Sequence, residues 1–350
     1  MCKGIKKTES GLQNMKTVRI GYTDVYPDMN PTNNVIYNAL KKRYNVEIID
    51  TSVPENRDKV EYLIYSASGK KFLDYKCVRI FITGENLAPN FNLCDYAIGF
   101  EHMSFGDRFF RLPIYFWEQY KKDYDNMLKD RLSLGGPAPE KREFCGIVAS
   151  NNGFADPMRE NFFNALSGYK TVDSGGRAYN NIGLPEGVPD KNEFLKKYKF
   201  SIAYENSSYP GYCTEKLMQA FAAGNVPIYW GDSTAVQEFN EKAFINCCGL
   251  TPEQAVEKVK EYDNDDERYL NMLREKTLLD DKLRERTLKE FEDFLYNIFD
   301  KTPEEARQIP TRGKMMVYYE DYKKLVKRDE MLRNNKVTLL IGKILAKRKL

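Results

Sequence analysis

Apolar residues along this chain fall into short continuous runs, separated by polar stretches whose remaining apolar positions recur at three- and four-residue steps. Thr17 to Tyr22, Val46 to Asp50, Leu63 to Ser66 and Cys77 to Thr83 read as strands, and Val35 to Tyr44 has helical spacing. A second set of strands is predicted at Phe144 to Ala149, Tyr169 to Val172, Lys199 to Tyr204, Val226 to Trp230 and Ala243 to Asn246. Helices are predicted near Pro157 to Leu166 and Thr214 to Ala223. Two such alternating sets predict an α/β protein with two doubly wound, Rossmann-like domains facing across a cleft. Lys122 to Arg142, polar and carrying Gly135-Gly136-Pro137, is the expected connection between them. Glu253 to Leu295 predicts solvated amphipathic helices covering the second domain.

One turn carries the densest group of reactive side chains. The buried strand ending at Tyr204 runs into Glu205-Asn206-Ser207-Ser208 and Tyr209-Pro210-Gly211, which is turn chemistry at a strand's carboxyl end. Thr214 is the expected N-cap of the next helix, with Leu217, Met218, Phe221 and Ala222 on its buried face and Gly224 and Pro227 ending it. Glu215 and Lys216 then occupy the first helical turn, where free N–H groups and the helix dipole favour an anion such as phosphate. In open α/β sheets ligands bind outside the carboxyl ends of strands, so Glu205, Asn206, Tyr212, Glu215 and Lys216 are expected to converge on a ligand. By periodicity alone, the same residues also suit a solvated helix start beside an Asn-x-Ser sequon.

Composition narrows the chemistry. At 350 residues the chain is long enough for about two domains, and 30% charged with 42% apolar residues is ordinary for a soluble enzyme. No apolar run approaches the roughly 20 residues of a membrane-spanning helix, and Met1 to Lys16 has lysines with no apolar core behind them, so a cytoplasmic protein is expected. Seven cysteines without C-x-x-C spacing suggest neither a disulfide framework nor a zinc site, and Cys213 reads as packing. His102 is the only histidine, which removes histidine-rich metal sites and leaves carboxylate and cation chemistry; it reads as a surface or strand-end residue. The last 30 residues hold ten Lys or Arg against three acidic residues. There Val337, Leu340, Ile341, Ile344 and Leu345 can share one helix face, suited either to an anionic membrane surface or to docking on protein. No nucleic-acid motif accompanies the charge.

The string from Phe200 to Gly231 resembles the signature of the α1,3-fucosyltransferases of glycosyltransferase family 10: an aromatic-Glu-Asn-Ser run, then Tyr-x-Thr-Glu-Lys and Gly-x-Val-Pro. Phe81-Ile82-Thr83-Gly84-Glu85-Asn86, Pro89 to Leu93, Asp95 to Phe100, Asp107-Arg108 and Arg111-Leu112-Pro113 are similar to the acceptor-domain segment of bacterial members. Val148 to Asn151 with Met158 to Phe162 resembles their first donor-domain strand, loop and helix. The likeness runs from about Val78 to Phe299.

The resemblance implies a GT-B fold: an acceptor-binding domain at 1–139, a GDP-fucose-binding domain at 140–305 and a basic helical tail at 306–350. It implies inverting transfer of L-fucose from GDP-β-L-fucose to the 3-hydroxyl of GlcNAc or Glc in an N-acetyllactosamine- or lactose-type acceptor, making Lewis-x-type glycans. Other GT-B donors, or a catalytically silent glycan-binding relative, are the alternative readings. Glu85 matches the glutamate of the family's Thr-Gly-Glu-Asn segment and is the expected base; Leu87 stands where many relatives carry a second glutamate, and Glu101 is the fallback. Arg159 and Lys216 are the expected cations for the departing diphosphate. Asn206, Tyr212 and Glu215 are expected to bind the donor. Gly175-Gly176 suit a close backbone approach, while Arg177 departs from the family arrangement. The resemblance implies that no metal or other cofactor is needed, and none is expected. The family's basic tails extend the expectation to peripheral contact with the inner face of the cytoplasmic membrane.

Overall fold

Eleven parallel strands in two sheets carry the fold of the computed structural model, which describes residues 15–150 and 152–334. The first sheet holds β1 Thr17–Thr23, β2 Asn45–Ile49, β3 Tyr62–Tyr65, β4 Val78–Ile82, β5 Tyr96–Gly99 and β6 Phe109–Arg111, in the order β2-β1-β3-β4-β5-β6. The second holds β7 Glu143–Ile147, β8 Val172–Ser174, β9 Tyr198–Tyr204, β10 Val226–Trp230 and β11 Ile245–Asn246, in the order β11-β10-β9-β7-β8. Each order reverses beside its first strand, and loops leaving the carboxyl ends at such a reversal form a ligand crevice.

The described helices are α1 Val35–Leu40, α2 Lys121–Met127, α3 Pro157–Tyr169, α4 Lys191–Leu195, α5 Glu215–Ala222, α6 Pro252–Asp263, α7 Asp266–Arg274, α8 Leu283–Phe299, α9 Pro303–Ala306 and α10 Lys314–Asn334. Two strands, β5 and β6, are too short for a periodicity signal and lay inside segments read only as motif. Tyr169, expected to open a strand, ends α3 instead: Asp156 caps that helix by accepting from the Met158 N–H, and pairing with β7 begins at Val172.

Tertiary packing departs from the expected assignment of helices. While α6 and α7 cover the second sheet with Ala255, Val259, Tyr269 and Leu273, α8 crosses back to the first domain. Phe299 packs its ring 4.3 Å from that of Tyr62, Glu292 pairs with Lys42, and Asp300 receives the Tyr44 hydroxyl at 2.6 Å and Arg43 at 2.8 Å. An amphipathic pattern specifies that a face is buried but not which sheet buries it.

The expected polar connection is likewise built in. Helix α2 lies against α5, with Asp123 accepting from Gln219 at 2.9 Å and from Asn192 at 2.7 Å. Arg131 and Arg142 are buried and donate to carbonyls just beyond α5: Arg142 to Gly224 at 2.6 Å, Arg131 to Asn225 at 3.1 Å. Both guanidinium groups are thereby held by backbone carbonyls rather than by solvent. Burial lowers the Arg131 pKa to about 9, against the weaker opposing influence of Tyr269.

Only the first part of the basic tail falls within the described residues. There α10 docks on the first domain through Tyr319, whose hydroxyl donates to the Leu73 carbonyl and whose ring lies 4.6 Å from the Arg79 guanidinium. Lys323 reaches the same carbonyl at 2.8 Å. The face formed by Val337 to Leu345 lies outside the described residues, as does most of Met1 to Lys16. No helix among the described residues is long and apolar enough to cross a membrane.

Candidate active site

A cleft of about 700 Å³ separates the carboxyl ends of the two sheets, and residues of both line it. From the first domain come Tyr22 at the end of β1, Ser66 after β3 and Gly84 and Glu85 after β4. From the second come Asn206, Tyr212, Thr214, Glu215 and Lys216. The loop bearing Glu85 is set by its neighbours: Thr83 Oγ1 accepts the Glu85 N–H at 3.0 Å and the Tyr26 hydroxyl accepts the Gly84 N–H at 3.0 Å. Asn86 then donates across the cleft to the Ser207 hydroxyl at 2.6 Å. That bond holds the Glu85 loop beside the Asn206 turn, although 121 residues separate its partners.

On the second domain, the structure corrects the expected helix cap. Thr214 occupies the N-cap position but makes no side-chain cap bond. Its hydroxyl donates to Glu205 Oε2 at 2.6 Å, its N–H donates to Glu205 Oε1 at 2.7 Å, and Lys216 Nζ donates to both Glu205 Oε2 at 3.0 Å and the Thr214 hydroxyl at 2.9 Å. Thus the anion at this helix start is the chain's own Glu205, fully buried, and Lys216 is held rather than mobile. Burial raises the Glu205 pKa, with Lys216 pulling the other way. For Lys216 burial disfavours the charge, but Glu205 and Glu215 outweigh it and raise the pKa, so the ammonium keeps its proton. Glu215, 3.5 Å from Lys216, is also pushed up by burial, but Lys216 and Lys191 lower it overall.

Arg159 lies behind this wall rather than on it. At 3% exposure on the first turn of α3, it donates to the Asn206 side-chain carbonyl, and the Asp156 N–H donates to the Asn206 backbone at 2.7 Å. Glu85, Asn206, Tyr212, Glu215 and Lys216 therefore share one cleft, with Arg159 fixing the Asn206 amide. Tyr212 is buried among them, and its hydroxyl pKa is raised first by burial and then by Glu205, with a further contribution from Glu85.

Glu101 is outside the cleft. Its carboxyl folds back beneath β5, so that a Cβ at Gly99 would lie 2.6 Å from Glu101 Oε2, and it is 5% exposed. A buried carboxyl facing its own sheet cannot reach a ligand between the sheets. His102 is a strand-end residue at the surface, with Nε2 3.0 Å from the Thr234 hydroxyl of the other domain. Cys213 is buried, and burial pushes its thiol well up, which suits packing. The close approach at Gly176 is to the chain itself, since a Cβ there would lie 2.0 Å from the Ala149 carbonyl oxygen.

Sequence reasoning missed the aromatic wall of the cleft, formed by Tyr22, Tyr26, Trp117 and Tyr120, and the Asp28 carboxylate with the Asn30 and Asn34 amides beside it. Tyr26-Pro27 and Asn30-Pro31 are turn signals that could have marked the loop after β1. Nothing in the spacing of Trp117 or Tyr120 points to that loop. Aromatic surfaces rimmed by a few polar groups are the usual lining of small-ligand sites.

Residues 20–118 match the family described as Alpha-(1,3)-fucosyltransferase FucT N-terminal domain, and residues 138–292 match Glycosyltransferase family 10 (fucosyltransferase) C-term. The chain is 34% identical over 279 residues to Alpha-(1,3)-fucosyltransferase FucT of Helicobacter pylori, across 70% of this chain and 56% of that protein. It is 34% identical over 138 residues to the human 4-galactosyl-N-acetylglucosaminide 3-alpha-L-fucosyltransferase, across 38% of this chain and 37% of that one. These matches thus span little more than half of the first relative and under half of the second. A crystal structure of an alpha1,3-fucosyltransferase aligns with a TM-score of 0.68 at 27% identity, over 84% of this chain and 93% of that one. One described as an alpha1,3-fucosyltransferase with GDP-fucose aligns with a TM-score of 0.66 at 28% identity, over 86% and 95%. With each half of the chain matched by its own fucosyltransferase domain and the two parallel sheets opposed across one cleft, this chain belongs to glycosyltransferase family 10 and has the GT-B fold.

Proposed function

We propose that this chain transfers L-fucose from GDP-β-L-fucose to the 3-hydroxyl of GlcNAc or Glc in a galactosylated acceptor, with inversion and without a metal ion, giving Lewis-x-type products. The observation that carries this reading is the opposition of Glu85, on the first domain, to Asn206, Tyr212, Glu215 and Lys216, on the second, in one cleft. The first domain takes the acceptor and the second the nucleotide. Glu85 accepts the proton of the acceptor hydroxyl as its oxygen attacks the anomeric carbon of fucose, and the bond from that carbon to the β-phosphate oxygen breaks with its electron pair leaving on GDP. Lys216 is held by Glu205 and Thr214 with Glu215 3.5 Å away, and its third N–H is the one a phosphate oxygen takes, so its charge meets the developing negative charge in a fixed place. Arg159 supports the same side through Asn206. A cation at the Lys216 position can do the neutralising work a metal would do. Tyr26, Trp117 and Tyr120 offer faces for the acceptor sugar.

Incubation with GDP-fucose and N-acetyllactosamine in EDTA, following GDP release and product linkage, tests the reading. We expect metal-independent α1,3 transfer, with kcat lowered roughly 10²- to 10⁴-fold in Glu85→Ala while GDP affinity holds. Undiminished transfer by Glu85→Ala would remove the base, loss of transfer in EDTA restored by a divalent ion would overturn metal independence, and no binding of GDP-fucose would overturn the whole reading. A cytoplasmic enzyme whose basic tail meets the inner membrane face belongs to the same proposal, and sedimentation with anionic vesicles, lost on removing residues 335–350, is its test.

A further inference from the structure

Gly211, the residue before Tyr212, is gripped from both domains. Its N–H donates to Asp232 Oδ1 at 2.7 Å and lies 3.1 Å from the Thr234 hydroxyl. Its φ is +89°, and a Cβ there would lie 2.5 Å from the Phe100 carbonyl oxygen, so the first-domain backbone presses directly on it and only glycine fits. The Phe100 ring then meets the Tyr212 ring edge-on, centroids 5.0 Å apart.

Asp232 follows β10, is 2% exposed and has no cation partner among the described residues. Its Oδ1 collects the N–H groups of Gly211 and Thr234, each at 2.7 Å, and the Thr234 hydroxyl at 2.6 Å, while its own N–H donates to the Tyr229 hydroxyl at 3.0 Å. The Thr234 hydroxyl has one proton. Given to Asp232, it leaves that oxygen an acceptor toward Gly211 and His102, so the His102 Nε2 must carry a proton.

We propose that Asp232 and Thr234 are positioning residues for the donor site: they lock the Gly211 amide and so orient Tyr212, and through His102 and Phe100 they make that orientation depend on the seating of the first domain. The inference rests on the reading that Tyr212 contacts the GDP-fucose donor. A side chain displaced by a fraction of an ångström loses much of its value to a bound ligand, which is the physical reason for a buried, multiply bonded carboxylate at this place.

GDP binding by calorimetry, with GDP-fucose kinetics and the ring ¹H–¹⁵N spectrum of the sole histidine, tests this on the full chain. In the free wild type we expect a protonated, hydrogen-bonded Nε2 whose signal changes in Asp232→Ala and Thr234→Val. Both variants should bind GDP about tenfold more weakly, as the loss of one charge-assisted bond predicts, and raise the KM for GDP-fucose while the acceptor KM stays put. Asp232→Asn, which keeps an Oδ1 acceptor, should restore most of the affinity. If Asp232→Ala fails to fold, Thr234→Val carries the test, since it keeps shape and removes the acceptor. Wild-type affinity in folded Asp232→Ala or Thr234→Val, or an unprotonated Nε2, overturns the positioning role of Asp232 and Thr234 alone. No GDP binding by the wild type overturns the donor reading, and with it the ligand assigned here.

Discussion

Glu101 and Glu205 are both buried carboxyls near the ends of strands, yet their surroundings separate their roles. Glu205 receives two N–H donors and a hydroxyl; Glu101 has no hydrogen-bond partner for either oxygen among the described residues. Burial raises the Glu101 pKa, against a weaker lowering influence from nearby backbone N–H groups. The folded state therefore holds this proton to higher pH than the unfolded chain does, so its contribution to stability is complete below the ordinary glutamate pKa and is lost as pH rises through the raised one. Glu101→Gln should raise stability at pH 8 by about 1 kcal/mol, a Tm increase of roughly 1 °C, and change little at pH 4. Equal melting temperatures at pH 8 would contradict it. At this scale sequence spacing was informative wherever partners lie within one strand-turn-helix, as Asn206, Tyr212, Glu215 and Lys216 do. It was blind to Asp232 and His102, which meet through Thr234 only because two domains touch.

Among the elements, α8 shows how far a periodic pattern reaches. Its apolar face, Phe291, Leu295, Ile298 and Phe299, was readable as a buried stripe, but the stripe serves the first sheet and helix α1. Phe299 is fully buried beside Tyr62 and Tyr44, so Phe299→Ala should cost about 3–5 kcal/mol through lost burial and the cavity left behind. Urea unfolding would measure it, and a loss below about 1 kcal/mol would mean the helix does not anchor the first domain. The short strands β5 and β6 escaped the pattern for a different reason: a strand of three or four residues gives too few positions for a period to register.

For the whole molecule, the two domains share one apolar cluster. It runs from Ile20, Ile64 and Ile80 through Tyr115 and Phe116 to Leu217 and Phe221 of α5, and α8 closes it. The Arg111 guanidinium of the first domain meets Glu238 of the second at 2.7 Å, with the Tyr115 hydroxyl on the same carboxylate. Two domains that bury a common core should unfold together, so calorimetry should show one transition, and Glu238→Ala, which strands a mostly buried Arg111, should lower it without splitting it. Two resolved transitions in the wild type would show the domains to be independent.

The amino-acid order by itself determined the family, the two α/β halves and the turn in which Asn206, Tyr212, Glu215 and Lys216 follow one another, because hydrogen-bonded turns and helical or strand periods are set by residues a few positions apart. Tertiary structure alone decided that Glu101 turns under its own sheet, that Glu205 fills the helix start and holds Lys216, that aromatic residues after β1 and β6 share one wall, and that α8 returns to the first sheet. Those outcomes depend on surfaces far apart in the chain excluding water together, and no local period encodes which distant surface that will be.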